Sequence, residues 1–84
     1  MWIFLFYNTD FNENRAHVHV GKKGSQHLCK IWLVPEIEVE KNGDLTDAQL
    51  KEVLGIVEAY KTRLLEQWRL FKEGKQVRII KITK

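Results

Sequence analysis

A helix start is spelled out in the middle of the chain, at Thr46-Asp47-Ala48-Gln49. A threonine followed three residues later by a glutamine can exchange two hydrogen bonds with the backbone at a helix N-terminus. Leu45 and Leu50 stand where flanking apolar residues staple the entry together. From there Leu50, Val53, Leu54, Val57, Tyr60, Leu64, Trp68 and Phe71 return at helical spacing. Gly74 follows as a stop. The spacing predicts one helix over 47–73, about 40 Å long at roughly 1.5 Å per residue, with Gly55 as the place where it would bend. An apolar stripe of that length needs a surface to cover. In an 84-residue chain that surface has to come from the preceding segment, within one small core.

The preceding segment reads as strands. Residues 2–7 are apolar or aromatic at every position, which predicts a first strand buried on both faces. Residues 8–15 are polar and rich in Asn and Asp, a loop. Residues 16–20 alternate, with Ala16, Val18 and Val20 on one side and His17 and His19 on the other, the pattern of a half-buried strand with its imidazoles outward. Gly21-Lys22-Lys23-Gly24-Ser25 predicts a hairpin connection and residues 26–33 a third strand. Pro35 ends ladder pairing. In residues 36–40, Glu36, Glu38 and Glu40 face out against Ile37 and Val39, which suits an edge strand. Residues 76–82 are β-branched and basic, a fifth strand or an arm. The expected fold is α+β, an antiparallel sheet of 4–5 strands with one long helix packed across one face. Residues 1–75 form a single domain and residues 76–84 a C-terminal basic strand or arm.

Charge is divided unevenly. Residues 1–60 carry six Lys/Arg and nine Asp/Glu, whereas residues 61–84 carry eight Lys/Arg against Glu66 and Glu73. A basic C-terminal third suits an acidic protein face or a nucleic acid, and makes Arg69, Lys72, Lys75 and Arg78 binding candidates. A helix C-terminus also favours cations through its dipole alone. A single cysteine, Cys29, excludes an internal disulfide and a four-cysteine zinc site. It sits among apolar strand neighbours and reads as core. No apolar run reaches the roughly 18–20 residues of a membrane span. The N-terminal apolar run lacks the basic start and cleavage site of a signal peptide. A cytoplasmic location without membrane contact is the expectation. The all-apolar first strand, the long helix and the extra C-terminal segment together predict a homodimer.

Two places carry possible chemistry. His17 and His19, two apart on one strand, project from the same side with Cα atoms about 6.5–7 Å apart. They could offer nitrogens to a phosphate or a metal. Glu13 would add a carboxylate and His27 a third imidazole if the register allowed. That set makes His17 and His19 catalytic candidates for acid–base cleavage of RNA, and Glu13, His17 and His19 metal candidates. The same pair also reads as plain hydrogen-bonded histidines. Lys22 and Lys23, beside two glycines, could hold a phosphate, but the segment lacks the ending of a nucleotide-binding P-loop. Nothing in the sequence calls for a cofactor.

Phe6-Tyr7 before a polar loop, then Ala16-His17-Val18-His19-Val20-Gly21, then Lys30-Ile31-Trp32-Leu33 before Pro35, and Leu64-Leu65-Glu66-Gln67-Trp68 late in the helix resemble a family of small bacterial proteins, the domain-of-unknown-function family DUF4160. The resemblance covers roughly residues 3–73. It implies a component of a toxin–antitoxin-like module, often in mobile DNA, with a partner protein encoded nearby and a possible nucleic-acid ligand. The family pattern usually has a histidine and two prolines before the His-x-His strand. Here Glu13 falls near that histidine and Arg15-Ala16 replace the prolines, so a three-histidine site of the family would be reduced in this chain to two histidines and a carboxylate. The expected function is a non-enzymatic binding component contacting a partner protein. The alternative is a small RNA-directed nuclease or metal-binding protein using the His17/His19 face.

Overall fold

A computed structural model describes residues 2–7 and 12–75, together with the backbone of residues 80–82. Four strands form an antiparallel meander: β1 (Trp2–Leu5), β2 (His17–Lys22), β3 (Cys29–Trp32) and β4 (Glu38–Lys41). Two helices follow, α1 (Asp47–Ala59) and α2 (Lys61–Lys72), and a short β5 (Ile80–Ile82) pairs antiparallel with the open side of β1. The sheet order is β4-β3-β2-β1-β5. The architecture is therefore α+β, as the pattern predicts.

Register explains the core. Phe4 lies opposite Val20, Val20 opposite Cys29, and Val18 opposite Ile31. Because side chains alternate along a strand, these apolar residues share one face. Val53, Ile56 and Val57 of α1 and Leu64 of α2 join them in a single buried cluster, each 1% exposed or less. Full burial of such a side chain stabilises by about 1.5–3 kcal/mol, so these contacts dominate in so small a domain. The Thr46 cap forms as the sequence predicts. Gln49 N–H donates to Thr46 Oγ1 at 3.2 Å, and Thr46 N–H donates to Gln49 Oε1 at 3.0 Å. Leu45 packs against the core beside it.

The expected single helix is two. Tyr60 leaves helical geometry at φ −107° and ψ 17°, although Tyr60 N–H still donates to Ile56 O and Leu64 N–H to Tyr60 O, both at 2.9 Å. A straight rod of about 40 Å would be longer than the molecule's 34 Å extent, so it would overhang the small sheet; beyond the break, Leu64 and Trp68 are buried instead. Gly55 stays helical and exposed, so the change of direction is not made there. At its far end α2 closes with Gly74 at φ +77°. Lys75 N–H donates to Leu70 O at 3.0 Å and Gly74 N–H to Phe71 O at 3.1 Å, the paired bonds of a glycine-terminated helix.

The β3–β4 ladder carries an irregularity between Lys30 and Ile31. Lys30 pairs with Lys41 while Ile31 pairs with Val39, which leaves Glu40 as an extra residue on β4. Such a bulge re-aims side chains locally, and here it gathers Glu40 and Lys41 around Lys30.

A buried histidine pair and a candidate binding cleft

His17 and His19 lie on the same face of β2, opposite Trp32 and Lys30 of β3. That face is not open to solvent as the alternation predicts. His17 is 0% exposed and His19 8%. The His17 ring stands 4.8 Å from the ring of Trp68 and 5.3 Å from those of Trp32 and His19, centroid to centroid. Tyr7 covers His19 at 4.4 Å. Trp68, on the helix after the break, is part of the cover of His17. A carbonyl oxygen only accepts, so His17 Nδ1 carries a proton and donates it to Arg15 O at 2.9 Å. Held in this way, His17 is a packed, hydrogen-bonded interior residue.

Glu13 does not join the imidazoles. Its carboxylate meets Lys30 Nζ at 3.4 Å, and its carbonyl accepts from Lys72 Nζ at 2.6 Å. Among the described residues no three His, Cys, Asp or Glu side chains gather to hold a metal ion, so Glu13, His17 and His19 form no such set. Lys30 also meets Glu40 at 3.1 Å. Burial pulls its ammonium pKa down, but the hydrogen bonds to Glu40 and Glu13 outweigh that and hold it above its ordinary value. Lys30 and Arg15 both lie over the indole of Trp32, at 4.5 and 4.4 Å. Arg15 is anchored in turn on Val34 O at 2.7 Å and Glu38 at 3.0 Å.

The basic end of the helix is largely matched within the fold. Arg69 sits between Glu66 and Glu73, and Lys75 pairs with Glu73 at 3.2 Å. The two carboxylates push the Arg69 pKa up. Arg69 holds the Glu66 carboxyl low, and Lys75, then Arg69, do the same for Glu73. Lys72 lies 5.7 Å over Trp68 while bonding Glu13 O. Arg78 falls outside the described residues. Lys22 and Lys23 are exposed at the hairpin turn, where Ser25 N–H donates to Lys22 O at 3.0 Å and Gly24 takes φ +87°. Cys29 is fully buried, and burial pushes its thiol up to about 11, which suits core and not a nucleophile.

The open feature of this region is a cleft of about 370 Å³ lined by Tyr7, His19, Gln26, His27, Leu28, Lys30, Lys41 and Gly43. Its lining holds two imidazoles, two ammonium groups, a phenol and an amide, and no carboxylate. His27, which would add a third imidazole only if the register brought it opposite, shares this cleft with His19 but is not its strand partner, because Lys30 is the residue opposite His19. The β4–α1 turn fixes its position. Asp44 N–H donates to His27 O at 2.9 Å, and His27 N–H donates back to Asp44 Oδ2 at 3.2 Å. Gly43, at φ +60°, lies so close that a Cβ there would stand 2.5 Å from His27 O. Tyr7, Gln26, Lys41 and Gly43 escape a reading of the sequence because three separated segments supply them. The nearest signal is Lys41, the cation that ends the acidic edge strand.

No helix among the described residues is long and apolar enough to cross a membrane. Neither the curated proteins nor the solved structures include a significant match. The family model for a domain of unknown function, DUF4160, matches residues 2–69, which spans the meander, α1 and α2 as far as Arg69. That stretch includes the buried pair His17 and His19 and the whole lining of the cleft, and on it the chain belongs to the DUF4160 family.

Proposed function

We propose that this chain is a non-enzymatic binding domain, the partner-docking component of a two-gene toxin–antitoxin-like module. The observation that carries the reading is the burial of His17 among Trp68, Trp32 and His19. A general base has to come within hydrogen-bond reach of its substrate, and a ring with no exposed surface is poorly placed for that. What the surface offers instead is recognition chemistry. Lys22 and Lys23 are exposed at the hairpin, and the cleft presents cations and rings. The internal pairing of Arg69, Lys72 and Lys75 moves the weight of partner contact away from the helix end and onto these groups.

The test is coexpression with the product of the adjacent gene. Stoichiometric copurification that survives the double variant His17→Phe, His19→Phe, and is lost in Lys22→Glu, Lys23→Glu, supports the docking reading. Absence of a complex with the adjacent product removes it. One observation favours a second reading, RNA-directed acid–base chemistry: His19 and His27 line one cleft together with two lysines. Turnover of an RNA substrate that disappears in His27→Ala would establish that reading in place of the first.

A further inference from the structure

We infer that the cleft beside the β3–β4 bulge is a binding site for a nucleoside monophosphate group, carried free or at the end of an RNA strand. The inference does not rest on the docking reading, because Lys22 and Lys23, which that reading tests, lie outside the lining of the cleft.

Charge comes first. The bulge sets Lys41 directly opposite Lys30, and like charges at directly paired positions destabilise a sheet. Glu13 and Glu40 occupy Lys30. Lys41 is exposed, and among the described residues it makes no ion pair. A phosphate seated in the cleft would offset the unmatched ammonium through a charge-assisted hydrogen bond. No carboxylate lines the cleft itself, and the ones that border it are engaged, Glu13 and Glu40 on Lys30 and Asp44 on the His27 N–H.

Shape and stacking come second. Tyr7 keeps 43% of its surface exposed while its ring rests on His19 at 4.4 Å. This braced aromatic wall suits a base, and stacking on such a ring contributes about 1–3 kcal/mol per base. Gln26 and the Gly43 backbone add donors and acceptors for a base edge, and Leu28 an apolar patch. A cleft of about 370 Å³ lies in the size range of small-ligand sites. Preorganisation comes third. The reciprocal bonds between Asp44 and His27 hold one wall of the cleft before any ligand arrives. An acidic peptide would satisfy the cations but leave the aromatic wall unused, so the rings favour a nucleotide.

The test is an NMR titration of the isotopically labelled full chain with adenosine 5′-monophosphate, adenosine, inorganic phosphate and an Asp/Glu-rich hexapeptide. The monophosphate is expected to shift signals of His19, His27 and Lys41 saturably, with phosphate or adenosine alone about tenfold weaker or more. Lys41→Ala should weaken the monophosphate about tenfold and Tyr7→Leu about fivefold or more. Gln26→Ala serves as a further variant should either one unfold, and Lys51→Ala, on exposed α1 surface, should change nothing. A 5′-phosphorylated RNA hexamer that displaces the mononucleotide assigns the site to RNA ends, and failure to displace it assigns the site to free nucleotide. No saturable shift, an unchanged affinity in Lys41→Ala, or saturation of these signals by the hexapeptide alone would overturn the inference.

Discussion

Replacing Gly43 by alanine should be among the most damaging single-methyl changes in this domain. Gly43 sits at φ +60°, and an added Cβ would stand 2.5 Å from His27 O, 2.6 Å from the Leu28 carbonyl carbon and 2.7 Å from Cys29 N. All three are backbone atoms at the entry to β3, so no flexible side chain can swing aside. Two costs combine. The left-handed backbone costs an alanine about 1–2 kcal/mol. Relieving the overlap means drawing the β4–α1 turn away from His27. That would loosen the Asp44 N–H bond to His27 O and its reciprocal, each contributing about 1 kcal/mol net. The expected loss is therefore about 3–4 kcal/mol, against a total stability of about 4–13 kcal/mol for a domain of this length. Gly74→Ala is the matched control. It has φ +77° but open space around the new Cβ, so it should lose only the backbone part, about 1–2 kcal/mol. Urea unfolding followed by tryptophan fluorescence measures both. If Gly43→Ala loses no more than Gly74→Ala, the turn is not packed on the start of β3, and the fixed wall of the cleft goes with it.

Gly55→Ala, helical and exposed with nothing within 4 Å of the new Cβ, should raise stability by about 0.5–1 kcal/mol in the same assay. Thr46→Ala removes the acceptor for Gln49 N–H and should cost about 1 kcal/mol, with Thr46→Ser recovering most of it. Cys29 should resist thiol reagents in the folded chain at pH 8 and react at once in denaturant, because its thiol is buried. Its folded pKa of about 11 lies above the ordinary value of 9.0. The stability it contributes is therefore full below pH 9.0 and is lost as pH rises toward about 11, since the unfolded chain ionises first. A Cys29→Ala variant should lose that part of the alkaline slope.

What could be read in advance followed from local chemistry. The Thr46–Gln49 cap, the glycine stop at Gly74 and the apolar alternation of Val18 and Val20 each rest on neighbours within a few residues, and each is present. The histidine face failed for the opposite reason. Alternation states which residues share a side, and His17 and His19 do, but not what lies over that side. Trp68 covers it from a distant position in the chain, on the helix that follows the break at Tyr60. No proline or glycine marks Tyr60, and the apolar period of Val57, Leu64 and Trp68 runs through it unbroken, so local propensity does not announce the break. The charge count at the C-terminus likewise carries no pairing information: it makes Arg69, Lys72 and Lys75 binding candidates, and the fold sets Glu66, Glu73 and the Glu13 carbonyl against them. The cleft depends on a register shift that pairs Lys41 with Lys30, and strand patterning carries no sign of a single extra residue.

His17 is interior packing while His27 is surface. Diethyl pyrocarbonate labelling of the native chain, read residue by residue by mass spectrometry, measures this directly. The expected result is rapid modification of His27, slow modification of His19, and none at His17 until denaturant is added. Labelling of His17 in the folded protein at the rate of His27 would contradict the buried pair and return the strand face to the list of possible active sites.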